Sequence, residues 1–260
     1  MKTIRCFLLM VTALVAASPL LNAADAVSDG PVSLVILYRA KPEKRIEFRS
    51  WLKNDGAARF AKWKKEGVFA NHQVLFSTFG ATSTFDAAII LDFAHYTDSA
   101  RWKEVEKNFP GGLTDEALKL AAPESTSYSD ALAHGVSANR DLSKSVYLMT
   151  FYEVVTDSPK YKKYAEGYVV PQMKGWLAEG ALSGYSLYLN HNPLGKPWDA
   201  MLLLEYSDIA GVARRDDVKA KVRVQLAASD PVWLEWSKDK SAIRHEVTIV
   251  MADALAPAKP

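Results

Sequence analysis

The sequence Trp-Lys-Lys-Glu-Gly at residues 63–67 returns as Trp-Leu-Ala-Glu-Gly at residues 176–180, which is 113 positions later (176 − 63). The same offset places Asp86 opposite Asp199, each at the start of a strand-like run. A repeat of this length indicates that a whole domain has been duplicated, because solenoid proteins repeat in much shorter units. The two halves therefore share one fold.

The match between the halves extends well beyond this stretch. It runs without a gap from residues 34–38, opposite residues 147–151, as far as Phe93, opposite Tyr206. Each half reads as strand, helix, strand, strand, helix, strand, from the alternation of β-rich runs with a helical apolar stripe. The sequence predicts one unit over residues 31–138 and a second over residues 145–255.

The first helix of each half has clear sequence signals. Its apolar stripe in the first half comprises Phe48, Leu52, Gly56, Phe60 and Trp63, and that in the second half comprises Ala165, Val169, Met173 and Trp176. Gly67 and Gly180 are expected to end the two helices, because glycine adopts the left-handed conformation of a helix C-terminus at little cost. Pro171 is expected to kink or split the second of them.

The N-terminus is typical of a secretory signal peptide. A short positively charged segment precedes the apolar residues 6–17, which are too few to span a bilayer comfortably, and small residues then precede a predicted cleavage site after Ala23. We interpret residues 1–23 as this signal, the alternative being a retained N-terminal anchor. The only cysteine, Cys6, leaves with it. The mature chain is expected to be periplasmic or secreted, without membrane attachment and without disulfides.

A βαββαβ unit forms a four-stranded antiparallel sheet with both helices on one face. The other face is apolar and must be covered, which a second copy can do. The helix ends at 63–67 and 176–180, with the strand starts at 85–87 and 198–200, resemble the dimeric α+β barrel superfamily. This ferredoxin-like group contains antibiotic-biosynthesis monooxygenases, EthD-like and NIPSNAP-like proteins, muconolactone isomerases and polyketide cyclases of the olivetolic acid type. No signature of one subfamily is present.

The resemblance implies an α+β fold in which two tandem ferredoxin-like βαββαβ units close one pseudo-dimeric α+β barrel. It also implies two related apolar ligand cavities, one between the sheet and the helices of each unit. A monomer would already contain both halves of the barrel. The sequence does not decide between a monomer and a homodimer.

Two histidines are the first candidates for catalysis. Residues 131–137 resemble residues 242–248, so His134 and His245 are predicted to occupy the same place on the last strand of each half. Their alternating neighbours are apolar, which predicts that both project into an apolar face. Such an imidazole could transfer a proton near neutral pH. The alternative is a buried histidine that only makes structural hydrogen bonds.

Further candidates are polar or aromatic residues that could contact a ligand, each with a structural alternative. They are His72 and its match Tyr185, Tyr38 and its match Phe151, the pair Asp86 and Asp199, and the pair Trp233 and Trp236. The alternatives are a surface histidine, a core aromatic, aspartates that anchor turns, and tryptophans that only pack. Asp92 and Glu205 are expected to be solvated or paired with helix lysines.

These residues favour a cofactor-independent enzyme of isomerase, cyclase or lyase type, acting by histidine-mediated proton transfer on a small, apolar, aromatic metabolite. One alternative is a periplasmic binding protein without catalysis. Another is a haem-dependent enzyme that uses His134 or His245.

The sequence contains no zinc-type ligand spacing and no nucleotide-binding glycine motif. A net charge of +2 gives no support for nucleic-acid binding. The expected partner is therefore a small-molecule ligand.

Overall fold

The computed structural model describes residues 29–79, 85–138, 140–191 and 197–255. The predicted signal peptide lies outside these residues. The first unit contains β1 (Val32–Ala40), α1 (Arg45–Trp51), α2 (Ala57–Lys65), β2 (Asn71–Ser77), β3 (Ala87–Phe93), α3 (Ser99–Glu106), α4 (Asp115–Leu118) and β4 (Ala121–Val136). The second contains β5 (Val146–Val154), α5 (Ser158–Tyr164), α6 (Val170–Ala178), β6 (Leu182–Asn190), β7 (Ala200–Tyr206), α7 (Ile209–Ala213), α8 (Arg215–Ser229), α9 (Pro231–Lys238), α10 (Lys240–Ile243) and β8 (Arg244–Ala254). Within the described ranges, no helix combines the length and apolar composition that crossing a membrane requires.

The strands form one closed antiparallel barrel. In the first unit the order is β4-β1-β3-β2, and in the second it is β8-β5-β7-β6. The last strand of each unit pairs with the second strand of the other, as β4 with β6 and β8 with β2. The predicted fold, two ferredoxin-like units closing a pseudo-dimeric α+β barrel, is confirmed.

Three apolar cores result from this arrangement. One outer core lies between the sheet and helices of each unit. The interior core combines inward-facing side chains of both sheets, including Val35, Leu37, Leu75, Ile90, Met149, Phe151, Leu203 and Val250. The strands β1, β3, β5 and β7 are therefore apolar on both faces, as expected for a sheet that is covered on both sides.

Gly67 and Gly180 end their helices as predicted. Both have positive φ, 73° and 69°. The residue after each glycine donates its N–H to the helix carbonyl five positions earlier, which is that of Trp63 at 3.0 Å in one half and of Trp176 at 3.2 Å in the other. This is the Schellman arrangement, which satisfies the last free carbonyls of a helix. The duplicated signature therefore fixes where each helix turns back toward the sheet.

Each first helix also contains a π-helical turn at the same place. The turns are Leu52–Gly56 and Ala165–Val169, again offset by 113 (165 − 52). Pro171 was expected to interrupt the second helix, and it follows the π turn there. The first helix has the same turn without a proline at the matching Ala58, so proline is not its cause. The turn is a property of the duplicated unit.

The gapless alignment of the first strands is wrong by one residue. Asp86 donates its N–H to the carbonyl of Tyr38, and Asp199 donates its N–H to that of Tyr152, so Tyr38 matches Tyr152 and not Phe151. The offset is 114 (152 − 38) on this strand and 113 on the helix and hairpin that follow. Because side chains alternate between faces, the slip of one residue reverses the face assigned to every residue of the strand.

The predicted equivalence of His134 and His245 is also wrong. On β4, Ser129 lies opposite Ser33, and on β8, Ala252 lies opposite Tyr147, the match of Ser33. The closing strands are therefore offset by 123 (252 − 129), and His245 matches residue 122. The local similarity of residues 131–137 to 242–248 does not reflect a shared place in the fold.

The loop before α4 generates a test of core packing. Gly112 has φ of 76° and lies against two core rings, so an added Cβ would be 2.9 Å from Phe60 and 3.0 Å from Trp102. Gly112→Ala is expected to lower the free energy of unfolding by about 2–4 kcal/mol, the sum of a left-handed conformation and an overpacked core. Urea denaturation measures the loss. Gly180→Ala is the control, since nothing lies within 4 Å of its added Cβ, and it should cost only about 1–2 kcal/mol. Equal losses would contradict the packing assigned to Gly112.

Candidate functional site

A pocket of about 640 Å³ opens at the end of the barrel where β1 and β5 begin. Both units line it, with apolar walls and polar groups near the opening. Its lining at the barrel end includes Ser33, Gln73, Ile90, Asp92, His134, Arg140, Tyr147, Ser186 and Tyr188. This volume lies in the range of ordinary small-molecule sites, which is roughly 300–1,000 Å³.

The barrel has two seams between the units, β4 with β6 and β8 with β2, and their different lengths leave room for the pocket. On one seam β4 continues past Ser129 to Val136 and stays paired with β6. On the other, β8 pairs with β2 only through Ala252–Ala254. The pocket therefore extends beside the start of β2 to the helix side of the first unit, where Ala57, Ala61, Lys64, His72, Val74 and Leu255 line it.

Glu205 lies near the C-terminal end of β7, and 3% of its surface is exposed. Arg140, from the linker between the units, donates from Nε at 2.6 Å and also from Nη2. The hydroxyls of Tyr147 and Ser183 donate at 2.9 and 2.7 Å. Burial alone would raise the pKa of Glu205, but these hydrogen bonds outweigh burial and lower it. Glu205 is thus a fully engaged carboxylate that ties the linker to the barrel.

Asp92 is the match of Glu205 in the first unit (205 − 92 = 113), with a different environment. The residue is half-buried, and one hydroxyl, that of Ser33, donates to its Oδ1 at 2.7 Å. Burial raises the pKa of Asp92, and neither the Ser33 hydrogen bond nor the charge of His134 restores it. The expectation that both carboxylates are solvated or paired with helix lysines is wrong, because both face the pocket end of the barrel.

His134 lies on β4 at the mouth of the pocket, with its side chain exposed. A bulge at Leu132 shifts the strand register, and His134 then lies opposite Ser186 of β6. Leu132 packs against the outer core of the second unit, whereas Val136 lines the pocket. His134 therefore borders a partly apolar pocket but is not enclosed by an apolar face.

His245 lies on the outer surface of the barrel. Its Nε2 is 2.9 Å from the carbonyl of Ser241, and its Nδ1 is 3.9 Å from the carboxylate of Glu153. The neighbours Val247 and Ile249, expected to form an apolar face around it, are 54% and 39% exposed. The predicted place of His245 in a cavity is wrong, because the bulge and register of β8 turn this segment to solvent.

His72 is half-buried at the far end of the pocket, on the helix side of the first unit. Its ring stacks on that of Phe60, with 5.8 Å between the ring centroids, and meets the Phe69 ring edge-on, with 5.5 Å between the centroids. Burial, with a smaller effect of the Lys64 charge, lowers the pKa of His72. Its Nδ1 is buried and has no hydrogen-bond partner among the described residues. Tyr185, its match, lies in the outer core of the second unit.

Three of the predicted polar candidates hold strand and loop ends. The Tyr38 hydroxyl donates to the carbonyl of Gly111 at 2.5 Å. The Asp86 carboxylate accepts the N–H of Ala40 at 2.9 Å, together with Nε of Arg45 at 2.7 Å. Asp199 accepts the N–H of Val154 at 2.7 Å. None of the three predicted residues lines the 640 Å³ pocket.

Trp233 and Trp236 pack over the second unit. Trp233 stacks on Tyr168 at 5.3 Å, and Trp236 meets Tyr164 edge-on at 5.8 Å. The Arg244 guanidinium adds a contact 3.8 Å above the Tyr152 ring. Aromatic side chains thus occupy the sheet–helix space in which the resemblance implied a second ligand cavity, and neither tryptophan lines the barrel-end pocket.

Tyr188 is the pocket residue that sequence reasoning missed most completely. It is 5% exposed, lies opposite Ala131 of β4, and lines the pocket beside Ser186. Burial raises the pKa of Tyr188 well above its ordinary value, and the charge of Asp92 adds to the rise. The hydroxyl is therefore a constant hydrogen-bond donor. Its match in the first unit is Leu75, so the repeat alone gave no signal for it.

The described residues contain no group of three or more His, Cys, Asp or Glu that could hold a metal ion. Haem held by a histidine needs an imidazole nitrogen directed at the iron within the haem pocket. The two histidines suggested for that role do not provide one, since His245 is on the outer surface and His134 is exposed beside charged groups. The residues present therefore do not fit haem at either position.

No family model matches the chain, and no curated protein sequence matches it. Solved structures do match. A proposed monooxygenase from Fusobacterium nucleatum has a TM-score of 0.56 and 14% identity, covering 88% of this chain and 94% of its own. A proposed monooxygenase from Lactobacillus acidophilus has a TM-score of 0.51 and 10% identity, covering 87% and 95%. An anthrone oxidase-like protein has a TM-score of 0.51 and 8% identity, covering 88% and 92%. Likeness at such identities shows the fold alone: the chain has the dimeric α+β barrel fold, with both halves of the barrel in one polypeptide.

Proposed function

We propose that this chain is an enzyme that transfers a proton on a small, largely apolar and aromatic metabolite bound in the barrel-end pocket. The observation that carries the proposal is the position of His134 at the mouth of a pocket that also contains Asp92 and Tyr188. A base, an acid and a hydrogen-bond donor around one cavity are the groups that isomerases, cyclases and lyases require.

The chemistry follows from where these groups lie. His134 takes a proton from a carbon next to a carbonyl group, and the negative charge moves to the carbonyl oxygen. The neutral hydroxyl of Tyr188 donates a hydrogen bond there, which stabilises the oxyanion most strongly in a site from which water is excluded. The proton then returns to another atom of the same molecule, so the reaction needs no oxidant.

The walls of the pocket support an apolar substrate. The buried Ile90 and Tyr147 and the exposed Val136 line the barrel-end part, and Ala57, Ala61 and Val74 line the part beside the helix. Flat aromatic molecules suit such surfaces, because their burial is favourable and ring contacts with Tyr147 and Tyr188 add to it.

The names of the similar structures raise one competing chemistry. Two are named as monooxygenases and one as anthrone oxidase-like. A substrate anion formed by His134 could also react with oxygen. Proton transfer without oxygen, binding without chemistry, and oxygen-dependent turnover are therefore the outcomes that the first assay must separate.

The proposal predicts hydrogen–deuterium exchange on an enolisable aromatic ketone. With 2-tetralone in D₂O, the wild-type chain is expected to exchange the carbon-bound protons next to the carbonyl faster than buffer does. His134→Gln should reduce this catalysed rate by about 10²–10⁴-fold, the usual contribution of a general base. Proton NMR measures the rate, in air and under nitrogen.

His245→Gln is the matched control, since it removes a histidine from the outer surface and should leave the exchange rate unchanged. Full activity in His134→Gln would contradict the proposal. Binding of 2-tetralone without any exchange would favour a binding protein, and product formation only in air would favour oxidation.

We further propose that the mature chain is exported to the periplasm or secreted, on the basis of residues 1–23. Expression of the full chain in a Gram-negative host should yield periplasmic protein. Its intact mass should be that of a chain that begins at Ala24. A cytoplasmic product that retains Met1 would contradict export.

A further inference from the structure

We propose that Asp92 is a second catalytic residue, which gives a proton to the substrate oxygen while His134 removes one from carbon. This inference rests on the proposed function and names the substrate class, a ketone with an acidic C–H next to its carbonyl. It comes from a comparison of two carboxylates that duplication placed at equivalent positions and that now have different surroundings.

Glu205 shows what a structural carboxylate at this position looks like. It accepts hydrogen bonds from Arg140, Tyr147, Ser183 and Ser145, so both of its oxygens are engaged. It has no remaining acceptor capacity for a substrate, and its lowered pKa keeps it ionised.

Asp92 has the same place in the fold without those partners. The match of Tyr147 on the first strand is Ser33, and that hydroxyl supplies the one hydrogen bond recorded to the Asp92 side chain among the described residues. Arg140, which also lines the pocket, is bound to Glu205. Asp92 is therefore half-buried without a fixed positive partner, and burial raises its pKa above the ordinary value.

The charged and titratable groups that face Asp92 agree with this role. They are His134 from β4, Tyr188 from β6, Tyr147 from β5 and Arg140 from the linker, which is bound to Glu205; Lys64 and His72 line the same pocket on the helix side of the first unit. The charge of His134 does not offset the effect of burial on the Asp92 pKa. A proton-transfer enzyme needs a base and an acid, and different surroundings set the pKa of each.

The step balances without any added reagent. His134 takes the proton from the α carbon, the C–H electron pair forms a C=C bond, and the carbonyl oxygen receives the Asp92 proton to give an enol. In the return step the Asp92 carboxylate takes back the O–H proton. His134 then delivers its proton, or a deuteron from solvent, to carbon. No atom of the substrate is oxidised or reduced.

Asp92→Asn tests the inference, with Glu205→Gln as the matched control. Asn keeps the shape of Asp92 and can still accept the Ser33 hydrogen bond, but it cannot donate a carboxyl proton. We expect kcat for exchange on 2-tetralone to fall about 100-fold with little change in KM, because one partner of a general acid–base pair is lost. Glu205→Gln should keep its kcat and lower Tm. Asp92→Glu should restore part of the rate.

The pH dependence provides a readout that a structural role would not move. In the wild-type chain the rate should fall as pH rises through the raised Asp92 pKa, because the acid form disappears. Asp92→Asn should lack this decline. Carboxyl ¹³C NMR should place the Asp92 midpoint above 3.8, the value from which it is raised.

The failures are distinguishable. Absence of exchange in the wild-type chain would overturn the proposed function and this inference with it. Exchange that depends on His134 but persists in Asp92→Asn would overturn the role of Asp92 alone. So would an Asp92 midpoint at or below 3.8.

Discussion

Each four-stranded sheet of this chain has two apolar faces, and its own helices can cover only one of them. The second face is covered by the other sheet, and the pairing of β4 with β6 and of β8 with β2 closes the barrel around that contact. Burial of the interior core is the interaction on which the rest of the structure depends, because it fixes the two units relative to each other. Polar groups from both halves, such as Asp92 and Tyr188, meet only because the barrel is closed.

The two seams of the barrel occupy equivalent places in the two units, but they differ in length. The extension of β4 brings His134 to the pocket mouth, whereas β8 ends near Ala254 and leaves the start of β2 open. One inward carboxylate, Glu205, became an anchor for the linker through Arg140, and the other, Asp92, kept free acceptor capacity. Aromatic rings fill the sheet–helix space of both units. The barrel-end pocket is the place where polar groups of both units come together.

The repeat was enough to predict the fold, because helix ends such as Gly67 and Gly180 carry a physical signal that survives divergence. It was not enough to assign faces. A single residue added between the first strand and the helix leaves few identities disturbed, yet it reverses the side to which each strand residue points. The same limit explains His245: residues 242–248 resemble residues 131–137 in composition, but strand register is set by partners that are distant in sequence.

Asp92 and Glu205 were visible as a matched pair, yet their location could not be derived from alternation alone. In a barrel with helices outside, both strand faces are apolar, so parity does not distinguish the interior from the helix side. The environment of each carboxylate depends on Arg140, which lies in the linker outside the repeat. Tyr188 had no matching tyrosine to draw attention to it.

The most direct test of where this protein binds its ligand is an NMR titration of the isotope-labelled chain with 2-tetralone. If the ligand binds in the barrel-end pocket, signals from His134, Asp92, Ser186 and Tyr188 will show saturable shifts. Shifts confined to Tyr164, Tyr168 and Trp233, on the helix side of the second unit, would show that the ligand enters the sheet–helix space and not the barrel-end pocket.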